Sequence, residues 1–145
     1  MKIRNELGFT LTELMICLMI MGLMAALAAP RFRGLIKNYK LTNAARVVWL
    51  DLHRAKMMAI KRGKTMRVDF TGTSYNIVLV ETGAVVFSRD LSRDYFGIAF
   101  NTTTTTASVS FGSTGTANGG TVVIQGPAGS KSFTIAFTGR IGPIS

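Results

Sequence analysis

Between Phe9 and Ala29 the chain runs for 21 residues with Glu13 as its sole charged side chain. Wound as a helix rising 1.5 Å per residue, that run would be roughly 32 Å long. A bilayer core is about 30 Å thick, so the run is long enough to span one. A carboxylate in such a helix is unfavourable by roughly 2.5–3.5 kcal/mol on insertion scales and calls for a partner. A cut between Gly8 and Phe9 would create one. The new α-ammonium of Phe9 would stand four residues from Glu13 on the same helical face, or reach the Glu13 of a neighbouring subunit.

The residues around the cut are Gly8-Phe9-Thr10-Leu11-Thr12-Glu13-Leu14-Met15-Ile16, preceded by a short basic leader. Gly, then Phe, then Glu at the fifth position after the cut, resembles the processing signal of type IV pilins and pseudopilins. The resemblance implies that a prepilin peptidase cleaves after Gly8 and methylates the amine of Phe9. It also implies that Glu13 helps to neutralise that amine during filament assembly. A secretory signal peptide would carry its small-residue cleavage site after the apolar run instead of before it. Pro30 would be the twenty-second residue of the processed chain. Pilins similarly carry a proline there that lets the helix bend or melt on packing, because proline removes a backbone hydrogen bond.

Once the anchor is set aside, 145 residues leave room for one domain of ordinary size. The single cysteine, Cys17, lies in the apolar run, so no intrachain disulfide forms and packing alone must hold the soluble part. Charge is unevenly placed: residues 31–67 sum to +10, whereas residues 68–145 balance to zero. Lys and Arg are denser after the apolar run (Arg31, Arg33, Lys37, Lys40) than before it (Lys2, Arg4). The positive-inside rule would therefore keep the bulk of the chain in the cytoplasm. The pilin resemblance implies the reverse: a single pass through the bacterial inner membrane with the head in the periplasm. A processing motif is more specific than a charge tally, so the second topology is the expected one.

From Leu35 to about Arg62, Leu41, Ala45, Val48, Leu52, Ala55 and Ala59 recur at spacings of four and three, one apolar stripe of a helix. Trp49, Val47, Met57, Met58 and Ile60 are expected to widen its buried face, and Gly63 to stop the helix. His53 has no Cys, Asp or Glu at ligand spacing and reads as a helix-surface residue. Beyond Gly63 the period becomes two. Strands are expected near residues 65–70, 75–81, 84–88, 97–100, 108–111, 121–125 and 132–137, with a solvated threonine-rich loop at 101–106. In the closing strand Phe133, Ile135 and Phe137 should face inward. The expected class is thus α+β, a pilin fold with a long N-terminal helix packed on an antiparallel β-sheet head. Its parts would be a cleaved leader (1–8), a transmembrane and filament-core helix (9–29), an amphipathic helix continuing into the head (30–63) and the β-rich head (64–145).

Three further stretches, Arg54 to Gly63, Phe111-Gly112-Ser113-Thr114-Gly115-Thr116-Ala117 and Phe137-Thr138-Gly139-Arg140-Ile141, together resemble the GspH/FimT group. That resemblance implies a minor pseudopilin of a type II secretion system, whose partners are other pilins through helix packing, the prepilin peptidase and inner-membrane lipids. It also implies an alternative, a minor type IV pilin at a tip or priming position, with DNA as a further partner in natural transformation. Some relatives take up DNA through Gly-Arg, any residue, then Arg; Gly139 and Arg140 fit, but Gly142 stands where the second arginine would be. The cations near Arg31 to Lys40 point instead to anionic lipid headgroups. An enzyme is not expected, for no Ser/His/Asp or Cys/His set and no paired carboxylates stand out. No cofactor is expected, and no metal site, since Asp90 with Asp94 is too thin a cluster for calcium.

Overall fold

The computed structural model describes residues 9–145, without the side chains of residues 28–33. The chain divides into two units, Met1–Ile36 and Lys37–Ser145. Helix α1, Leu11–Arg62, supplies residues to both. Position 30 lies within the helical bounds, so the backbone stays helical through the proline.

In the first unit the apolar side chains of α1 are exposed, from Leu11 (76%) to Leu27 (71%). Among the described residues no helix is long and apolar enough to cross a membrane.

The second unit is built on the stripe read from the sequence. Leu41, Ala45, Val48, Leu52, Ala55 and Ala59 are all at most 1% exposed, joined by Ala44. Alanine at four of these seven positions lets backbone approach the helix closely, while Leu41, Val48 and Leu52 supply the bulk. Gly63 ends α1 in the left-handed region at φ 62°. There Gly63 N–H donates to the Ile60 carbonyl and Lys64 N–H to the Ala59 carbonyl, the glycine-closed helix end that leaves few carbonyls unpaired.

Seven strands follow: β1 Met66–Thr71, β2 Ser74–Leu79, β3 Ala84–Asp90, β4 Ala99–Phe100, β5 Ser108–Phe111, β6 Gly120–Gly126 and β7 Gly129–Ile135. One sheet has the order β3-β2-β1-β5 and the other β4-β6-β7, and every pairing is antiparallel. In β1 and β5, Met66 pairs with Phe111 and Val68 with Val109, so the buried residues of both strands share one face. Val122, Ile124, Phe133 and Ile135 give the second sheet its inward face and join the same core. This is the α+β architecture expected from the sequence, with the apolar sheet faces closing over the helix stripe.

Three expectations need correction. Met57 and Ile60 are 63% and 43% exposed, because the sheets cover α1 along a narrower stripe than its apolar content suggested. Phe137 is 76% exposed instead of inward, since β7 ends at Ile135 and the chain turns there, with Gly139 N–H donating to the Ala136 carbonyl. A short helix, α2 Leu91–Asp94, was also not foreseen. Its start is capped by Asp90, whose carboxylate accepts from Ser92 N–H at 2.9 Å and Ser92 Oγ at 2.8 Å.

Candidate assembly site and the docked C-terminal segment

The first candidate site is the start of α1. Gly8 lies outside the described residues, and Phe9, 83% exposed, precedes the first helical residue. Thr10 N–H and Thr10 Oγ1 both donate to Glu13 Oε2, at 3.0 and 2.9 Å. In return Glu13 N–H donates to Thr10 Oγ1 at 3.2 Å. This reciprocal pair is a capping box, which satisfies two of the backbone donors that a helix start leaves open. The carboxylate thus has a partner within the uncut chain. Sequence reasoning looked to Phe9 for that partner and missed Thr10, although Thr-x-x-Glu ahead of an apolar run is itself a helix-start signal.

The second candidate region is where the two glycine-bearing segments of the head meet α1. Gly115 and Gly139 both sit at positive φ, 84° and 74°. A Cβ on Gly139 would stand 1.8 Å from the Gly115 carbonyl oxygen, far inside contact distance, so the two backbones touch at a place only glycine can occupy. Lys56 Nζ donates to the Gly139 carbonyl at 3.0 Å, and about two turns earlier Trp49 Nε1 donates to the Gly142 carbonyl at 2.9 Å. The C-terminal segment is therefore tied along α1. It also extends the second sheet, through the Ile135–Ile141 bridge and paired Ser132–Ser145 backbone bonds.

Arg140 is exposed. At Gly142, where a second arginine would be needed for the basic motif, a Cβ would meet Thr134 Oγ1 at 3.1 Å and the Thr134 carbonyl at 3.3 Å. The structure thus buries Gly139 against Gly115, leaves Arg140 exposed and gives little room for the missing cation.

A third cluster joins α1 to the first sheet. Asp51, the one acid in residues 31–67, is 8% exposed. Tyr75 donates its hydroxyl to Asp51 Oδ2 at 2.5 Å. Arg89 Nε lies 3.0 Å from the same oxygen, as an ion pair and not an aligned hydrogen bond. Burial, and then the carboxylate beside it, push the Tyr75 phenol well above its ordinary value. Phe87 carries Arg54 at 4.9 Å and Arg89 at 5.4 Å from its ring centroid, cation–π distances. A single carboxylate, held by a phenol hydrogen bond and a guanidinium ion pair, ties α1 to β2 and β3 across the core edge. Among the described residues no group of three or more His, Cys, Asp or Glu comes together to hold a metal. His53 Nδ1 lies 3.0 Å from the Trp49 carbonyl of its own helix.

Comparison with known proteins adds four findings. The family model described as type II transport protein GspH matches residues 44–139. The prokaryotic N-terminal methylation motif matches residues 3–29. No curated protein matches the chain. Two crystal forms of the type IV minor pilin FimU of Pseudomonas aeruginosa PAO1 share the fold. One has a TM-score of 0.58 at 17% identity, over 72% of this chain and 88% of that one. The other has 0.57 at 18% identity, over 72% and 92%.

Proposed function

Because the chain belongs to the GspH family, a group of type IV pilin-like minor pilins and pseudopilins, we propose that it is a minor pseudopilin of a type II secretion system. In this reading the peptidase removes residues 1–8 and methylates Phe9. Residues 9–29 hold the subunit in the inner membrane, and the head stands in the periplasm. The subunit then enters a short pseudopilus that drives protein export. The observation that carries the reading is the succession on one chain of the methylation motif, at residues 3–29, and the GspH match, at residues 44–139. The exposed apolar side chains of α1 from Leu11 to Leu27 suit packing among lipids and like helices. Glu13 acts in assembly by exchanging Thr10 for the methylated amine of Phe9, its own or a neighbour's. Pro30 serves as the point where α1 yields on packing.

A second reading, a minor type IV pilin, is favoured by the fold shared with FimU. Deleting the gene in its host separates the two. Loss of exported protein with surface pili intact supports the secretion reading; loss of pili with export intact replaces it by the second. DNA binding would rest on Arg140 alone at the C-terminal motif. Retardation of DNA by the purified chain that is salt-sensitive and lost in Arg140→Ala would establish it.

A further inference from the structure

Helix α1 has a second stripe, on the side of the head unit turned away from the sheets. Written as heptads, Asn43, Leu50 and Met57 fall at position a and Tyr39, Arg46, His53 and Ile60 at d, an apolar stripe interrupted by Asn43, Arg46 and His53. Tyr39, Leu50 and Met57 are 68%, 52% and 63% exposed, although apolar residues at this spacing are the pattern of a helix–helix seam. The flanking e positions include Lys40, Arg54 and Lys61, all exposed. No Asp or Glu occupies any a, d, e or g position between Tyr39 and Lys61. The one acid of this segment, Asp51, falls at b and is spent on Tyr75 and Arg89 inside the head. At one end of the stripe Arg46, Trp49 and Leu50 form a shallow, mostly apolar groove with Pro143 and Ile144.

Charges beside a helical seam choose the partner, and like charges there exclude it. A second copy packed parallel would set Arg46 opposite its own counterpart and Lys61 opposite Lys56. Packed antiparallel, it would set the e-position cations against one another. We propose that this stripe is the docking seam for the helix of a different subunit, one with apolar residues at the seam and Asp or Glu beside it, and that it rejects a second copy of this chain. The inference rests on the reading of the protein as a filament subunit and adds the chemistry of its neighbour.

The test uses the full chain, expressed in its host with a photoreactive amino acid at Leu50 or Met57. A third variant, with the probe at Leu14, reports helix packing in the other unit. The expected product from Leu50 and Met57 is a cross-link to a pilin-like polypeptide of different sequence, mapped to a peptide bearing acidic residues. Lys40→Glu with Lys61→Glu should cut that yield about ten-fold, the change expected when two attractive pairs turn repulsive. Trp49 fluorescence would confirm an unaltered head, since both lysines are exposed and tie nothing down. Reversing the mapped acids to lysine should restore the cross-link. Cross-linking to a second copy, to lipid alone, to a neutral or basic peptide, or to nothing overturns the proposal. If Leu14 still yields pilin-like partners in that case, the filament reading stands without the seam; if all three sites fail, the filament reading fails with it.

Discussion

Substituting Gly139 by alanine separates the two demands that the contact with Gly115 makes on the chain. The first is conformational: a left-handed L-residue costs roughly 1–2 kcal/mol. The second is steric, for the new Cβ would lie 1.8 Å from the Gly115 oxygen and 3.0 Å from its carbonyl carbon, both backbone atoms. Relief requires one segment to withdraw, with an overpacking cost of about 1–3 kcal/mol. Withdrawal also stretches the Lys56–Gly139 bond and the Ala117–Phe137 backbone bond, each 3.0 Å and worth roughly 0.5–1.5 kcal/mol net. Gly63 isolates the first demand, since it has φ 62° and nothing within 4 Å of its would-be Cβ. Gly63→Ala should therefore cost only the conformational share and Gly139→Ala about 3–8 kcal/mol in all. At about 2–4 °C per kcal/mol for a chain of this size, the expected falls in Tm are roughly 2–8 °C and 6–32 °C. Thermal unfolding of the full chain in detergent, followed by Trp49 fluorescence, reads both, because Trp49 Nε1 holds the Gly142 carbonyl. Equal Tm losses in the two variants would refute the close approach of the two glycine segments.

Other substitutions probe other parts of the account. Leu52→Ala, at a fully buried position in the middle of the helix stripe, should cost about 2–5 kcal/mol by denaturant titration. For Tyr75 the folded state raises the phenol's pKa, so its contribution is complete below the unfolded value of about 10 and is lost as pH rises beyond it. Stability measured from pH 8 to 11 should thus decline more steeply above about pH 10 in the native chain than in Tyr75→Phe. Asp90 has the opposite sign: the Ser92 N–H, then its hydroxyl, hold the exposed carboxyl below its ordinary value. Its capping contribution is present above the unfolded value and lost as pH falls through the folded one, a dependence that Asp90→Ala should remove from the acid limb of an unfolding profile. Glu13→Ala should reach the membrane yet be depleted from sheared filament fractions on immunoblots, and normal incorporation would count against its assembly role.

What could be read from the sequence was whatever repeats at short range. The stripe from Leu41 to Ala59 was legible because spacings of three and four put the same face inward at each turn, and all six residues are buried. Gly63 was legible because a helix end needs a left-handed residue. The sides of Met57, Ile60 and Phe137 were not, since each depends on how far a sheet reaches across α1 or where β7 stops. The Asp51–Tyr75 bond joins residues 24 apart and the Lys56–Gly139 bond residues 83 apart. Neither leaves a periodic trace. The motif glycines stood out as motif, but their work, letting two backbones touch beside Lys56, appears only in three dimensions.

Intact-mass spectrometry of the chain purified from its own host's membranes tests the central claim most directly. The account predicts a polypeptide lacking residues 1–8, beginning at Phe9 and heavier than the unmodified mature chain by one methyl group on its amine. A single species retaining Met1 to Gly8 would contradict it.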